Sequence, residues 1–527
     1  MEAPDPDEIE SNAHGRARLD RVLAGVALGV IVACIVVLAN GYHRVGHPQG
    51  DDFALYLRQA KSIFDGNIAQ VVADNRFTAV FSGKDPFMPY AYPWGFPLLL
   101  SPFVNRFGLD YDLLKWVVVG CLAVWAVLVH GVVRRRVGRI AALAVLAGAF
   151  TAPAILKHTD SLLSEFPHAM TVGVMLWWFD RVHRRHGWLL DAPVGALIGL
   201  GALGAAAFNF RRESIVLFVA ILAVQLGEIA CGRWRTLRER STLRRLGAPH
   251  AGFFGTAIVA QLLLPSMLFP KNADKPSFID NRLADYRAVL TDQLGLDQHK
   301  WLGLAILLVA LLGAILGIRR RPHLDGFLFA VALFSMLAVS THFRMVGRYY
   351  LQVLPWVVYF CIVAVTEVLI SVRALFAVDD DTDEPRPVGR LFPWAVLVVP
   401  VLPVVWVFAV HAKVVPEQIG EIAEDTANGY VHIGPADPNV IPVYEAVQKY
   451  SGPNDVIVFF RARTMTLLTD RRAIQTTSIE RVVDVGDWFA QKRDSNFFQP
   501  DLSMRTLEDL GFDLVWSDPT WLLWRVP

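Results

Sequence analysis

Long apolar segments recur along the chain as far as residue 411, and they constrain its fold more than any other feature. Each is about 18 to 22 residues long, enough for an α-helix to cross roughly 30 Å of hydrocarbon. About eleven are predicted as membrane spans: 20–40, 114–133, 139–156, 166–182, 190–208, 214–231, 252–270, 301–318, 324–341, 348–371 and 391–411. The sequence therefore predicts a mainly α-helical, polytopic membrane protein.

Basic residues predict how these spans are oriented. Alternate connections are rich in arginine, at 134–139, 181–185, 233–245 and 319–321. The short connections between them hold only Lys157, Arg211, Arg212 and Arg344 as basic residues. Because arginine-rich loops stay in the cytoplasm, the N-terminus is predicted to be cytoplasmic, and an odd number of spans places the C-terminus outside. The first span is longer than a signal-peptide core and no cleavage site follows it, so we expect an uncleaved anchor in the cell membrane.

The chain divides into two predicted domains. Residues 1–411 form a transmembrane domain whose first outer loop is long, from 41 to 113. Residues 412–527 have the composition of a soluble domain, predicted to be α/β and extracytoplasmic. Residues 53–64 and 442–450 have helical patterns, while 455–460, 473–476, 512–516 and 521–526 are predicted strands.

Paired acidic residues follow the first span. Asp51 and Asp52 open the helical stretch that contains Tyr56. Either carboxylate could cap this helix, or one could act as a general base while the other tunes its pKa. A second acidic group, Asp160 with Glu165 and then His168, enters an apolar segment, and helix capping does not explain Glu165 there.

Two pairs of arginines stand on the predicted outer side, against the charge bias. Arg211 and Arg212 precede Glu213, which offers an ion pair as the simpler explanation and phosphate binding as the alternative. His342, Arg344, Arg348 and Tyr349 form the other group, where interfacial anchoring is the simpler explanation.

Between the first carboxylates and the second span lies a stretch rich in proline and aromatic residues, 84–97, which begins at Lys84. It suits both a rigid shelf on the membrane surface and the mouth of a lipid-binding groove. The chain has no phosphate-loop, dinucleotide, zinc-protease or serine-hydrolase motif, so we expect no nucleotide cofactor. We also expect no nucleic-acid partner.

Several short motifs occur in a set order. Asp52 is followed by Tyr56, Ala60 and Gly66, and 92–98 reads Tyr-Pro-Trp-Gly-Phe-Pro-Leu. Further motifs are Asp160-x-x-Leu-x-Glu-x-Pro, Arg-Arg-Glu at 211–213, Arg-Tyr-Tyr-Leu at 348–351 with Pro355, and Thr-Asp-Arg at 469–471. Together they resemble the GT-C superfamily of membrane glycosyltransferases, in particular the branch with protein O-mannosyltransferases and aminoarabinose transferases. Arg-Arg-Glu lacks the proline of the corresponding family turn, and Asp470 replaces a family glycine.

The resemblance implies transfer of a sugar from a polyprenyl-phosphate donor to a glycan, lipid or protein acceptor on the outer face, usually with inversion. Asp52 would be the general base, and Arg212 and Arg348 would hold the lipid phosphate. Asp160 and Glu165 would position hydroxyls, or Asp51, Asp52 and Glu165 would bind Mg²⁺ or Mn²⁺. The candidate binding residues are Asp51, Tyr56, Lys84, Asp160, Glu165, His168, Arg211, Arg212, His342, Arg344, Arg348 and Tyr349.

Two other functions stay open from the sequence. One is a transporter or flippase for a lipid-linked or anionic substrate, and the other is a non-catalytic subunit of envelope assembly. Charges inside broken helices would favour transport. The charges here gather at the ends of predicted outer loops, which favours chemistry at the interface.

Overall fold

The computed structural model describes residues 6–83, 88–233, 237–268, 291–296, 300–340, 347–376, 392–494 and 498–527. Over these residues the chain is mainly helical and ends in a five-stranded sheet, as the sequence predicts. Within the described ranges, the helices that precede the sheet are α1 (Pro6–Gly41), α2 (Asp52–Asp65), α3 (Ile68–Phe81), α4 (Gly95–Phe107), α5 (Tyr111–Val137), α6 (Arg139–Phe150), α7 (Pro153–Lys157), α8 (Glu165–His186), α9 (Val194–Phe208), α10 (Ile215–Glu228), α11 (Arg240–Leu263), α12 (Lys300–Arg320), α13 (Pro322–Ser340), α14 (Leu354–Phe376) and α15 (Phe392–Ala427).

Several helices are long and apolar enough to cross a membrane, so the chain is a multi-pass membrane protein. Among the described residues there are six such spans: Val22–Gly41, Tyr111–Val137, Arg212–Gly232, Arg240–Leu263, Trp301–Arg320 and Gly347–Ile370. Helices α6 and α7, with the turn that follows them, are bent by 60° and make a seventh if they count as one span.

The predicted total of eleven spans is not confirmed. The predicted span 166–182 lies in α8, whose C-terminal half carries Asp180, Arg181, Arg184 and Arg185. The predicted span 190–208 corresponds to α9, which has only 15 residues. By length and composition, α8 and α9 are not among the six spans, because the first carries charge and the second is short.

The segment between the first two of these spans is folded rather than extended. It contains α2, α3 and α4, and the predicted helix at 53–64 is confirmed as α2. Helix α2 ends where Gly66 adopts a φ of 70°, the left-handed conformation that glycine takes without steric cost.

The C-terminal part contains α16 (Ile441–Tyr450), β1 (Val456–Val458), α17 (Ala462–Thr469), β2 (Arg472–Ile474), α18 (Ile479–Val485), β3 (Trp488–Lys492), α19 (Met504–Asp509), β4 (Asp513–Ser517) and β5 (Trp521–Arg525). The strands lie in the order β2-β1-β3-β5-β4, with β2, β1 and β3 parallel and β5 antiparallel to both its neighbours. Four strands match predicted ones. Strand β3 had no predicted counterpart, and its sequence WFAQK contains no β-branched residue.

Both faces of this sheet are covered by helices. Helices α16 and α17 bury Val443 and Met465 on one face, and α18 and α19 bury Val482 and Leu507 on the other. The edge strand β2 lies against α3, where Thr78 donates a hydrogen bond of 2.8 Å to the Ala473 carbonyl. The sheet is therefore docked on the segment between α1 and α5.

Helix α15 runs through the predicted domain boundary at 411/412 without a break. The chain then returns to the start of the molecule, where Val45 and Val431 form a parallel β-bridge. The Gln49 amide also donates to the Ile433 carbonyl at 2.9 Å. The division into domains 1–411 and 412–527 stays a prediction, and the two parts touch beside the paired carboxylates.

Candidate functional site

The Asp52 carboxylate lies in the first turn of α2, just after the span Val22–Gly41. One of its oxygens, Oδ2, contacts Arg348 Nη2 at 2.9 Å, and Oδ1 accepts a hydrogen bond of 2.6 Å from the Tyr92 hydroxyl. The side chain remains 37% exposed, so a ligand can reach it. Asp51 occupies the N-cap position of α2, but its side chain makes no capping hydrogen bond to the helix.

Arg348 links Asp52 to a chain of alternating charges. Its Nε lies 3.3 Å from Glu165 Oε1, which is also 2.9 Å from Arg211 Nη1. Arg211 Nη2 in turn contacts Glu213 Oε1 at 2.9 Å. This chain of charges thus brings together residues from four parts of the fold: α2, α8, the α9–α10 connection and the start of the span Gly347–Ile370.

Glu165 is almost fully buried in this chain of charges. Its side chain is 7% exposed, and among the described residues neither of its oxygens accepts a hydrogen bond of good geometry. Buried carboxylate oxygens nearly always have hydrogen-bond donors, because leaving them without one is costly. The ion pairs with Arg211 and Arg348 offset part of the cost of burying this carboxylate.

Aromatic side chains hold the charged groups in place. The Tyr349 ring lies 4.9 Å from the Arg211 guanidinium carbon and 5.4 Å from that of Arg348, within cation–π range. Tyr56, one turn after Asp52 on α2, shares a hydrogen bond of 3.1 Å with Ser164. Its ring packs 4.7 Å from that of Tyr92.

Two predicted site residues, Asp160 and His168, lie in other clusters. Asp160 contacts Lys115 Nζ at 2.7 Å and His432 Nε2 at 2.6 Å, and that lysine is fully buried. His168 hydrogen-bonds to the Ser214 hydroxyl. Both groups are satisfied by protein partners, and the structure does not bring them to Asp52.

Arg212 points away from its neighbour Arg211. Its guanidinium donates to Ser266 and to the Phe208 carbonyl at 3.1 Å, and it lies 4.4 Å from the Phe208 ring centre. The structure thus places Arg211, rather than Arg212, beside Glu165 and Arg348. Lys84, His342 and Arg344 lie outside the described residues.

Two contacts at the site were not predicted. Tyr92 is the partner of Asp52, and Arg463 contacts Tyr92. Arg463 Nη1 lies 3.1 Å from the Tyr92 hydroxyl oxygen. Tyr92 belongs to the Tyr-Pro-x-Gly motif, so the sequence did contain a signal for it. For Arg463, in α17, the sequence contains no local signal.

The protonation of the pair formed by Asp52 and Tyr92 is settled by the surrounding charges. Burial raises the pKa of Asp52, but Arg348, the Tyr92 hydrogen bond and Arg463 together outweigh it and hold the pKa below the ordinary 3.8. Burial and the negative charge of Asp52 raise the pKa of Tyr92 well above 10.0. At neutral pH Asp52 is thus an anion and Tyr92 a hydrogen-bond donor.

The expected divalent cation does not fit this arrangement of side chains. Among the described residues no three His, Cys, Asp or Glu side chains converge as metal ligands. Asp52 and Glu165 instead share Arg348, so a cation between them would first have to displace a guanidinium.

Comparisons with known proteins identify the fold. No family model matches the chain, and no curated protein matches its sequence. Among solved structures, ArnT from Cupriavidus metallidurans in the apo state superimposes with a TM-score of 0.54 and 14% identity, over 95% of this chain and 98% of ArnT. ArnT bound to undecaprenyl phosphate gives a TM-score of 0.52 and 12% identity, over 94% and 97%. The chain therefore shares the fold of ArnT over nearly its whole length.

Proposed function

We propose that this protein transfers a sugar from a polyprenyl-phosphate donor to a hydroxyl group of a glycan, lipid or protein acceptor, with inversion at the anomeric carbon. The observation that carries the proposal is a half-exposed, anionic Asp52 paired with Arg348 next to a membrane span. The GT-C fold supports a membrane glycosyltransferase. That ArnT binds undecaprenyl phosphate supports a lipid donor of the same chemical class.

In the proposed reaction the acceptor hydroxyl oxygen attacks the anomeric carbon while its proton passes to Asp52. The bond between the anomeric carbon and the phosphate oxygen breaks, and its electron pair leaves with the lipid phosphate. The new glycosidic bond forms on the face opposite the leaving group, which inverts the configuration. Asp52 is positioned as the base because its carboxylate is both charged and accessible.

Arg348 and Arg211 are proposed to stabilise the phosphate as it leaves. A guanidinium has five N–H donors, so both arginines keep donors for phosphate oxygens beyond their contacts with carboxylates. Because Arg348 contacts Asp52 directly, the base and a phosphate held by Arg348 would both lie close to the sugar that is transferred. Glu165, which lies beside both arginines, is proposed to bind hydroxyls of the sugar or the acceptor.

The reaction is proposed to occur on the outer face of the cell membrane. The arginine-rich connections place the N-terminus in the cytoplasm by the positive-inside rule. The segment that carries Asp52 and the C-terminal sheet are in contact, so both lie on the same side. On this basis the C-terminal residues 412–527 are extracytoplasmic, where polyprenyl-linked sugars and envelope acceptors meet.

The test is transfer from a panel of radiolabelled polyprenyl-phosphate sugars into membrane acceptors. Asp52→Asn should abolish transfer from the donor that the wild type uses, because an amide cannot accept the proton. Asp65→Asn is the matched control, since Asp65 is an exposed carboxylate at the other end of α2. Turnover of Asp52→Asn at the wild-type rate would remove Asp52 as the base. Failure of every donor, combined with movement of a lipid-linked sugar across reconstituted vesicles, would favour a transporter instead.

A further inference from the structure

Arg463 reaches from the C-terminal sheet domain into the segment that carries Asp52. It lies in the first turn of α17 and is 4% exposed. Its Nε donates to Asn75 Oδ1 at 2.9 Å, its Nη1 to the Tyr92 hydroxyl at 3.1 Å, and its Nη2 to the Pro89 carbonyl at 2.7 Å. All three partners belong to the segment between α1 and α5, and none to the domain of Arg463 itself.

These contacts determine where the Tyr92 proton points. A guanidinium can only donate, so the Tyr92 oxygen must accept from Arg463. The single hydroxyl proton is then left for Asp52 Oδ1, at 2.6 Å. The Arg463 guanidinium also lies 5.2 Å from the Tyr92 ring centre, which fixes the ring itself.

The backbone around Tyr92 is also held by hydrogen bonds from residues other than Arg463. Gln59 donates to the Tyr92 carbonyl at 3.0 Å and accepts from the Tyr92 amide at 3.1 Å. Asn75 donates to the carbonyls of Pro89 and Tyr90, both at 2.8 Å. Loss of Arg463 should therefore free the Tyr92 hydroxyl while the backbone of residues 89–92 stays in place.

We infer that Arg463 is a positioning residue of the proposed transferase, one that acts on the Asp52 carboxylate through the Tyr92 hydroxyl. The inference rests on the proposed function and extends it, because it makes the C-terminal domain a part of the base's immediate surroundings. A domain that served only to bind acceptor or to cover the site would need no buried cation at this position.

The consequences for transfer are specific. Arg463→Gln should lower kcat about tenfold and leave KM for the donor within about twofold, since the donor contacts are intact. The pKa of Asp52 should rise, because Arg463 is one of the groups that lower it. The acid limb of the transfer rate should then move to higher pH. Arg463→Lys keeps the charge, so the acid limb of the transfer rate should return to its wild-type position. Only part of kcat should return, because lysine lacks the planar guanidinium with its several donors.

A second measurement does not require transfer at all. The thiol introduced by Asp52→Cys, in a background without the four native cysteines, reports the electrostatic environment of position 52 through its rate of alkylation. Adding Arg463→Gln should slow alkylation at pH 7.5 about tenfold by raising the thiol pKa. Arg471→Gln is the matched control, since the side-chain hydrogen bonds of Arg471 to described residues go to Ser451 and Thr469, within the C-terminal domain.

The outcomes separate the two claims. If no donor supports transfer by the wild type but Arg463→Gln slows alkylation, the proposed function fails and the positioning role stands. If transfer is found and Arg463→Gln changes neither the pH profile nor alkylation relative to Arg471→Gln, Arg463 is structural only and the inference is overturned.

Discussion

Asp52 is a weak base, and this constrains when it can take a proton. Arg348, Tyr92 and Arg463 keep its pKa below the ordinary value, whereas general bases work best with a pKa near the operating pH. An acceptor hydroxyl becomes acidic enough for such a base only once its oxygen has begun to bond to the anomeric carbon. Proton transfer in the proposed reaction should therefore be late, after most of the bond to the leaving phosphate has broken.

The pH dependence of transfer follows from the sign of this shift. Because the pKa of Asp52 lies below 3.8, lowering the pH from 7 to 5 leaves it charged, and single-turnover transfer should change less than about twofold. The rate should fall only below pH 3.8, as Asp52 takes a proton. Arg348→Gln removes the charge that lowers the pKa of Asp52 most, so the fall in transfer rate should move to higher pH. A wild-type midpoint near pH 6 would contradict the assignment, provided that circular dichroism shows folded protein there.

Single residues also show what the sequence could not reveal. The Arg-Arg-Glu motif marked position 211–213 correctly, but two adjacent arginines look alike in a sequence. The preceding turn sends Arg211 to Glu165 and Arg212 to Ser266 and Phe208. Asp470 is the converse case, since it ends α17 with a φ of 54° and so adopts the left-handed conformation that the family glycine would take.

At the scale of helices, α9 and α11 approach each other so closely that glycines are required at the contact. A Cβ atom on Gly201 would overlap the Pro249 carbonyl oxygen, and one on Gly252 would overlap that of Ile198. Small residues at such crossings let backbones pack tightly, which stabilises helix association where lipid gives no hydrophobic driving force. This contact fixes α9, which leads directly into Arg211.

Substitution at this crossing should separate the two helices. Gly252→Ala is expected to destabilise the protein by about 1–3 kcal/mol, because the added methyl group has no space. Gly255→Ala on the same helix is the control, since nothing lies within 4 Å of an added Cβ there. Thermal unfolding in detergent should show a lower midpoint for the first variant and an unchanged midpoint for the second. Equal midpoints would mean that the helices do not pack this closely.

Helices and strands with strong local patterns were predicted well, as α2, α16, β4 and β5 show. Elements that are stabilised mainly by the strands or helices packed beside them were not predicted. Strand β3 has no distinctive pattern and is held between β1 and β5. Apolar length also says little about whether α8 and α9 cross a bilayer, because their charges and partners decide it.

At the scale of the molecule, the site joins residues that are far apart in sequence. Arg348 lies 296 residues from Asp52, and Arg463 lies 371 residues from Tyr92. Short motifs can mark the first pair, because they fall at the ends of predicted spans. In the C-terminal part, no local sequence pattern distinguishes Arg463 from the other arginines. Its contact with Tyr92 arises only when the sheet docks on α3, which the sequence does not predict.

The orientation of the whole chain can be tested with an introduced cysteine. Asp494 is 85% exposed in the C-terminal domain, so Asp494→Cys should react with an impermeant maleimide on intact cells. Glu239→Cys, exposed in a predicted cytoplasmic connection, should react only after lysis, and the wild type gives the background of the native cysteines. Labelling of Asp494→Cys only after lysis would place the domain in the cytoplasm and remove the outer-face site.

The hydrogen bond between the Thr464 hydroxyl and the Gly50 carbonyl, 2.7 Å long, sets an order for biosynthesis. Asp52 leaves the ribosome well before Arg463 and Thr464, which complete its surroundings. The six described spans all precede α17 in the chain, so a nascent chain that ends before α17 lacks the contacts of Arg463 and Thr464. A premature stop codon after α15 would thus leave the described spans in the bilayer without the residues that complete the surroundings of Asp52.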